Sequence, residues 1–390
     1  MHLLFTSVPA HGHVNPTLPL VRELVRRGHR VSYAVHEEFR SVVEPTGATV
    51  LPVPGEMPKT PMRFEPESMR RRMTEFERMI RDGLAELDRV LRHDPPDALC
   101  YDAMTLSARI AVRRFGVPGV ALFPSYASHE GFSLREELMS SGSGFPPEFR
   151  RVLEAMWEQT ADLAAEAGVE RFDPMSTPPD ELNIVFIPRE FQFAGDTFDE
   201  RFHFVGPSLG EREDAGDWRP PADGRLLFVS LGTAFNYRPE FFRMCLDAFG
   251  DTDWHVAMAV GKHIDVDGLG AVPANVEIRP FFPQPAVLRH ADVFLSHTGM
   301  NSTMESLSLG VPLVAVPQQP EQAANARQVD GLGLGRHLDP ASLSPELLRK
   351  TVEEVHADPH IRANVARMSA TLRAADAPAR AADAIEAHLA

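Results

Sequence analysis

Two imidazoles and a carboxylate are the first side chains along the sequence suited to proton transfer. His11-Gly12-His13 comes directly after an apolar run, Leu3 to Val8, and Asp102 comes just after another, Asp97 to Tyr101. An imidazole titrates near neutral pH and can take the proton of a hydroxyl group. A carboxylate behind it fixes the tautomer and stabilises the imidazolium that forms. By residue type alone, either histidine meets that requirement. The other half of the chain carries a different chemistry. Ser230-Leu231-Gly232-Thr233 closes an apolar run with small and hydroxyl side chains, suited to phosphate oxygens. The stretch His297-Thr298-Gly299-Met300-Asn301-Ser302-Thr303-Met304-Glu305 follows a further run, Val293 to Ser296. Gly299 permits close backbone approach, and Asn301 or Ser302 can cap a helix that starts there. The amides and positive dipole end of such a helix bind a diphosphate without a metal. Ser302 and Glu305 also match a capping box, so a structural role for Glu305 stands beside a ligand role.

These groups need rigid supports, and the chain supplies a repeating pattern for them. Leu3–Val8 reads as a strand, residues 9–16 as a loop, and Leu18, Leu20, Val21, Leu24 and Val25 as one helix face that Gly28 ends. Val31–Val35 is the next strand, and Asp97–Tyr101, Thr105–Phe115 and Val117–Phe123 repeat the unit as strand, helix and strand. The alternation predicts a parallel sheet covered on both faces, with ligand chemistry at the carboxyl ends of its strands. Residues 55–95 and 125–180 interrupt the rhythm with Met, Phe, Arg and Pro, and read as binding surface or as helical padding. Within them Ser140-Ser141-Gly142-Ser143-Gly144 reads as a flexible tip. The charged, Gly- and Pro-rich stretch from Gly206 to Gly224 reads as a linker. A second series follows, with strands at Leu226–Leu231, His255–Val260, Val276–Ile278, Val293–Ser296 and Leu313–Val316. The tail from Pro345 is helical, broken near Pro359 and Pro378. The expected division is a first domain over 1–206, a linker over 207–224 and a second domain over 225–375. A terminal helix over 376–390 is expected to pack back toward the first domain.

Composition narrows the function classes. The 390 residues exceed one core at about 100–200 residues per domain, which agrees with two domains. Thirty-nine Lys and Arg against 55 Asp and Glu leave 39 − 55 = −16, a surface that repels phosphate backbones and anionic lipid. No nucleic-acid partner is therefore expected, and no membrane span, because no window reaches about 18 uninterrupted apolar residues. Two cysteines, Cys100 and Cys245, make no disulfide framework, and no leader pattern opens the chain, so a cytoplasmic location is expected. Three motifs invite other readings. Gly206-Pro207-Ser208-Leu209-Gly210 matches a nucleophile elbow but lacks the supporting helix after the serine. Asp265-Val266-Asp267 offers two carboxylates for a metal, yet in a Gly-rich turn they read as solvated loop residues, and no metal site is expected. Gly331-Leu332-Gly333-Leu334-Gly335 has no strand before it and reads as a turn.

The segment from Phe281-Phe282-Pro283-Gln284 to Asn325 resembles the donor-binding signature of family 1 UDP-glycosyltransferases. The matching residues are Pro283-Gln284, His297, Gly299, Asn301-Ser302, Glu305, Gly310-Val311-Pro312, Glu321-Gln322 and Asn325. Ala10-His11-Gly12-His13-Val14-Asn15-Pro16 is similar to the bacterial macrolide-type (natural-product) members. The resemblance implies an α/β GT-B fold, two Rossmann-like domains facing across a cleft, with acceptor on the first and nucleotide sugar on the second. It implies His13 rather than His11 as the base and Asp102 as its partner. It implies ribose contacts from Gln284 and Glu305, and diphosphate contacts from His297, Asn301, Ser302 and Thr233 beside Gly299. Glu321 and Gln322 are the implied contacts of the sugar hydroxyls. Phe281 stands where relatives stack a Trp on uracil, and Met300 where the plant signature has Trp. The implied activity is an inverting, metal-independent hexosyl transfer with no cofactor beyond the co-substrate. UDP-glucose is the expected donor. The acceptor is an apolar, hydroxyl-bearing small molecule, a macrolide or polyphenol, chosen by the segments around 55–95 and 125–160. A TDP-deoxysugar transferase of antibiotic biosynthesis is the alternative. More distant are a GT-B epimerase or phosphorylase, a non-catalytic sugar-nucleotide module, and a hydrolase using Ser208.

Overall fold

The structure, a computed structural model, describes residues 1–54, 66–140, 147–172, 180–209, 217–232 and 236–390. Residues 141–144 of the expected flexible tip, the middle of the linker and Thr233 lie outside the described residues. Two compact units result, Met1–Gly210 together with Ala375–Ala390, and Glu211–Ala374.

In the first unit seven strands run parallel: β1 (His2–Thr6), β2 (Arg30–His36), β3 (Thr49–Val53), β4 (Ala98–Asp102), β5 (Gly119–Phe123), β6 (Leu182–Val185) and β7 (Phe202–Phe204). Their order is β3-β2-β1-β4-β5-β6-β7. β1 and β4 are buried along their whole length, as a strand with helices on both faces must be. Alternate side chains divide between two cores. Leu3 and Phe5 join Leu20, Val21 and Leu24 of the helix Leu18–Arg26. Leu4, Leu99 and Tyr101 face the opposite way, toward Leu87 and Val90 of the helix Pro66–His93 and Ala108 and Ala111 of the helix Leu106–Phe115. Much of the stretch 55–95 is thus a 28-residue helix that covers one face of the sheet. Ala377, Ala381, Ala382 and Ile385 of the last helix, Ala377–Leu389, belong to the same core as Leu3 and Phe5. Arg27 reinforces that seat by donating to Asp383 and Glu386, at 2.6 and 2.7 Å.

The second unit repeats the plan with six parallel strands: β8 (Arg225–Ser230), β9 (Trp254–Ala259), β10 (Val276–Arg279), β11 (Val293–Ser296), β12 (Leu313–Ala315) and β13 (Gly335–His337). The order is β10-β9-β8-β11-β12-β13. Gly331 to Gly335 forms the turn from the helix Pro320–Gly331 into β13, with Gly333 at φ +63°. Apart from β7, where Phe202–Val205 reads as strand-like ahead of Gly206, three strands, β3, β6 and β13, exceed the sequence-based set. β3 carries Pro52 and is only half-buried, and β13 is Gly-Arg-His, so neither presents an apolar run, whereas β6 leads past Asn183 into the buried apolar stretch Ile184–Ile187.

Ile385 is wholly buried against the core of the first unit. Ile385→Ala should destabilise that unit by about 2–5 kcal/mol, the usual cost of emptying such a site. Denaturant titration followed by hydrogen exchange on residues 1–54 would measure it, and a loss under about 1 kcal/mol would mean that the terminal helix is not part of this core.

Candidate active site

β1 and β4 are neighbours, with Thr6 opposite Tyr101, so the residues leaving their carboxyl ends meet. The segment expected as a loop after β1 is in fact a helical entry. Ala10 is extended, and its carbonyl accepts from the amides of both His13 and Val14 at 2.9 Å. A turn over His11–Val14, a 3-10 turn over Asn15–Thr17 and the helix Leu18–Arg26 follow without a break. Pro16 and Pro19 fit this run because each sits in a first turn, where no amide is needed. Held this way, His13 Nδ1 lies 2.7 Å from Asp102 Oδ2. The Asp102 side chain is 0% exposed, whereas that of His13 is 33% exposed. The other carboxylate oxygen accepts from the Met104 amide at 2.8 Å, so the dry carboxylate is bonded at both oxygens. A carboxylate accepting from Nδ1–H makes Nε2 the basic nitrogen of the ring. His11 packs edge-on against Phe39 instead, with centroids 5.1 Å apart.

A buried hydroxyl chain anchors this turn. Thr17 Oγ1 donates to the Val14 carbonyl at 2.8 Å, so the Tyr33 hydroxyl, 2.8 Å away, must donate to Thr17. Ser7 in turn donates to Tyr33 at 2.8 Å. Burial pushes the Tyr33 phenol up to about 12, with the Asp102 charge adding to the effect. Tyr33 was not legible as a site residue, because it acts only through contacts distant in sequence, and Met104 was not, because it acts through its backbone amide rather than its side chain.

The second unit builds its site at the equivalent place. β8 and β11 are neighbours, with Ser230 opposite Ser296, and the His297 amide donates to the Ser230 carbonyl at 3.3 Å. The His297 ring lies between two backbones. A Cβ on Gly232 would fall 2.5 Å from its Nε2, and one on Gly299 would fall 2.6 Å from the same atom, so only glycine fits at either position. Burial holds the imidazole down at about 4, and its Nδ1 has no partner among the described residues. Gly299 is the N-cap of the helix Met300–Ser308, which has no side-chain cap. Neither Asn301 nor Ser302 caps it, contrary to the sequence-based expectation. Both lie inside the first turn, two and three residues past the N-cap, and the amides there form the positive end of the helix. Nor does Glu305 close a capping box. Its Oε2 accepts from Gln284 Nε2 at 2.7 Å, and the same Gln284 nitrogen lies 3.1 Å from Ser302 Oγ. Gln284, Ser302 and Glu305 therefore form one cluster from two helices.

Phe281 is 50% exposed, a free ring face. Phe282 turns inward against Phe228, with centroids 6.1 Å apart. Glu321, exposed, and Gln322 sit in the first turn of the helix Pro320–Gly331. Gln322 Oε1 accepts from the Gln318 amide at 2.8 Å, and Arg238 fixes the Gln318 side chain at 2.6 Å. Of the other motifs, Ser208 is buried and its hydroxyl has no partner. Residues 205–209 are without helix, and the stretch after them, where an elbow's helix would stand, lies outside the described residues. Asp267 opens a short 3-10 turn, and among the described residues no group of three or more His, Cys, Asp or Glu is placed to hold a metal ion. Cys100 and Cys245 are both buried, which raises their thiols and keeps them unreactive. No helix among the described residues is long and apolar enough to cross a membrane.

A family model described as the C-terminal domain of erythromycin biosynthesis protein CIII-like matches residues 243–388. The chain is 39% identical to the NDP-glycosyltransferase YjiC of Bacillus licheniformis, across 100% of this chain and 98% of that one. It is 36% identical to demethyllactenocin mycarosyltransferase of Streptomyces fradiae, across 99% of this chain and 86% of the relative. Among solved structures, the calicheamicin glycosyltransferase CalG4 superposes with a TM-score of 0.84 at 38% identity, covering 100% of this chain and 98% of the other.

The buried His297 has a consequence for stability. In the unfolded chain the imidazole takes its proton near 6.5, and in the folded protein not until about 4. Between those values the unfolded state binds the additional proton, so stability is full above pH 6.5 and is lost as pH falls toward 4. The contribution is about 2–3 kcal/mol. His297→Asn should therefore flatten the fall in denaturant midpoint between pH 6.5 and 4.5 relative to wild type. Parallel curves would mean that the folded imidazole titrates normally.

Proposed function

The chain belongs to the bacterial macrolide-type glycosyltransferases of family 1, and from that membership we propose that it transfers glucose from UDP-glucose to a hydroxyl of an apolar small molecule with inversion. The protein is a glycosyltransferase of natural-product type with a GT-B fold. The observation that carries the mechanistic reading is the 2.7 Å contact between His13 Nδ1 and Asp102 Oδ2, a part-exposed base on a dry carboxylate. His13 Nε2 takes the acceptor's hydroxyl proton, and Asp102 stabilises the imidazolium. The acceptor oxygen forms its bond to the anomeric carbon as the bond from that carbon to the diphosphate oxygen breaks. The nucleoside diphosphate leaves with the electron pair. An α-linked donor gives a β-glycoside.

Support for the donor half comes from the second unit. The uncapped terminus of the helix Met300–Ser308, with His297, Asn301 and Ser302, is suited to the leaving diphosphate in place of a divalent cation. In this reading Thr233, outside the described residues, adds a further diphosphate contact. Gln284 and Glu305 take the ribose hydroxyls, and the free face of Phe281 takes the base. Gln322 uses its carbonyl oxygen on the Gln318 amide, which leaves its nitrogen as a donor to a sugar oxygen, while Glu321 accepts from a sugar hydroxyl. A sugar lacking one of those hydroxyls leaves a polar group unpaired, at a cost of about 1–3 kcal/mol. That favours glucose over a deoxysugar. The competing reading, transfer of a deoxysugar from a thymidine nucleotide, draws on the relative named as a mycarosyltransferase and on the smaller ring of Phe281. The acceptor reading, a macrolide or polyphenol, rests on the apolar content of the segments around 55–95 and 125–160.

Turnover assays on a panel of macrolide and polyphenol acceptors, with UDP-glucose, TDP-glucose and a TDP-deoxysugar side by side, test the donor. UDP-glucose should give the highest kcat/KM, and a TDP-deoxysugar ahead by about tenfold, or 1.4 kcal/mol, would replace it. His13→Ala should lower turnover by about 10²–10⁴-fold with affinity for UDP retained, and Asp102→Asn should fall with it. Loss of activity in His11→Ala with His13→Ala intact would assign the base to the other imidazole. Activity should persist in excess chelator. A metal requirement reversed by Mn²⁺ or Mg²⁺ would bring Asp265 and Asp267 back into consideration.

A further inference from the structure

Thr298 stands between His297 and Gly299 with φ at +58°, in the left-handed region. For a β-branched residue this conformation is a true outlier, and it persists only where the surroundings impose it. Here they do so from every side. The residue is fully buried. Its amide donates to Ser296 Oγ at 3.0 Å, and its carbonyl accepts from Asn325 Nδ2 at 2.8 Å. Its hydroxyl lies 2.7 Å from the His297 carbonyl and 3.0 Å from that of Gln322, one proton shared between two acceptors. Asn325 and Gln322 both belong to the helix Pro320–Gly331. One residue therefore ties the segment at the end of β11 to the helix that carries Glu321 and Gln322.

Glycine would adopt this backbone without strain. What glycine lacks is the hydroxyl that reaches the Gln322 carbonyl. We infer that Thr298 is a positioning residue, whose strained backbone and hydroxyl lock the His297–Gly299 segment to the helix bearing Gln322 so that the diphosphate and sugar subsites hold one register. The inference rests on the assignment of those two subsites under the proposed function. Asn325 acquires a role by the same geometry: its amide holds the Thr298 carbonyl rather than a ligand.

Three substitutions separate positioning from plain stability. Thr298→Val keeps the branched shape and removes the hydroxyl, Thr298→Gly removes both hydroxyl and strain, and Thr298→Ser keeps the hydroxyl. With UDP-glucose and a flavonol acceptor, Thr298→Val should lose about 10- to 100-fold in kcat, as small misplacements of a reacting centre do. Its affinity for UDP, measured by calorimetry, should stay within about threefold, since the diphosphate contacts persist. Thr298→Ser should recover most of the turnover. Thr298→Gly should melt no lower than Thr298→Val and yet stay as slow. A merely structural role predicts the reverse, with Thr298→Gly restoring activity along with stability. Wild-type turnover in either hydroxyl-free variant, or UDP affinity falling in step with kcat, would overturn the inference alone. A wild-type protein that binds neither UDP nor TDP would overturn the functional reading beneath it.

Discussion

In each unit the strand order reverses at one place, between β1 and β4 in the first sheet and between β8 and β11 in the second. The crossovers leaving those neighbouring strands diverge to opposite sides, so the two carboxyl ends lie side by side with no helix over them. Two pairs of candidate site residues meet across this gap. His13 follows β1 and meets Asp102 at the end of β4. Gly232 follows β8 and admits the ring of His297 from the end of β11. Parallel pairing enforces this arrangement, since it aligns all carboxyl ends at one edge of the sheet and brings helix N-termini to the same edge.

At these edges the fold departs from the rules that stabilise it elsewhere. Asp102 is a carboxylate without water, His297 is an imidazole with an unpartnered Nδ1, and Thr298 is a β-branched residue in a left-handed conformation. Each would be unfavourable in an ordinary core. Two of them are offset by fixed neighbours, the Met104 amide and His13 for Asp102 and Asn325 with the Gln322 carbonyl for Thr298, while two glycine backbones make room for the His297 ring. Such groups are held in place before any ligand arrives, and a pre-oriented polar site is what a developing charge in a transition state requires.

The two units encode their sites differently. In the second, nearly all the candidate residues fall within one continuous stretch from Phe281 to Asn325, on consecutive strands, loops and helices. In the first, His13 and Asp102 are 89 positions apart, and a hydroxyl chain through Ser7, Tyr33 and Thr17 anchors the turn that carries His13. A pattern local in sequence is readable as a motif, whereas a dispersed one is assembled only by strand register.

Strand and helix alternation, the buried strands β1, β4, β8 and β11, and the helix beginning after Gly299 were determined by the sequence itself, because period and punctuation reflect the burial of one element at a time. The family was legible through the resemblance carried by the stretches Ala10–Pro16 and Phe281–Asn325. What only the tertiary structure decided is which groups touch. Local pattern gave no ground for choosing between His11 and His13, yet packing sends one to Phe39 and the other to Asp102. Local pattern proposed Asn301 or Ser302 as a cap and Glu305 as its return partner, yet the helix starts at Met300 and Glu305 bonds Gln284 from another helix. β3 and β13 lack apolar runs and exist because a neighbouring strand offers its hydrogen bonds. Hydrogen bonds and close contacts depend on where distant segments are brought in space, and composition and periodicity carry no term for that.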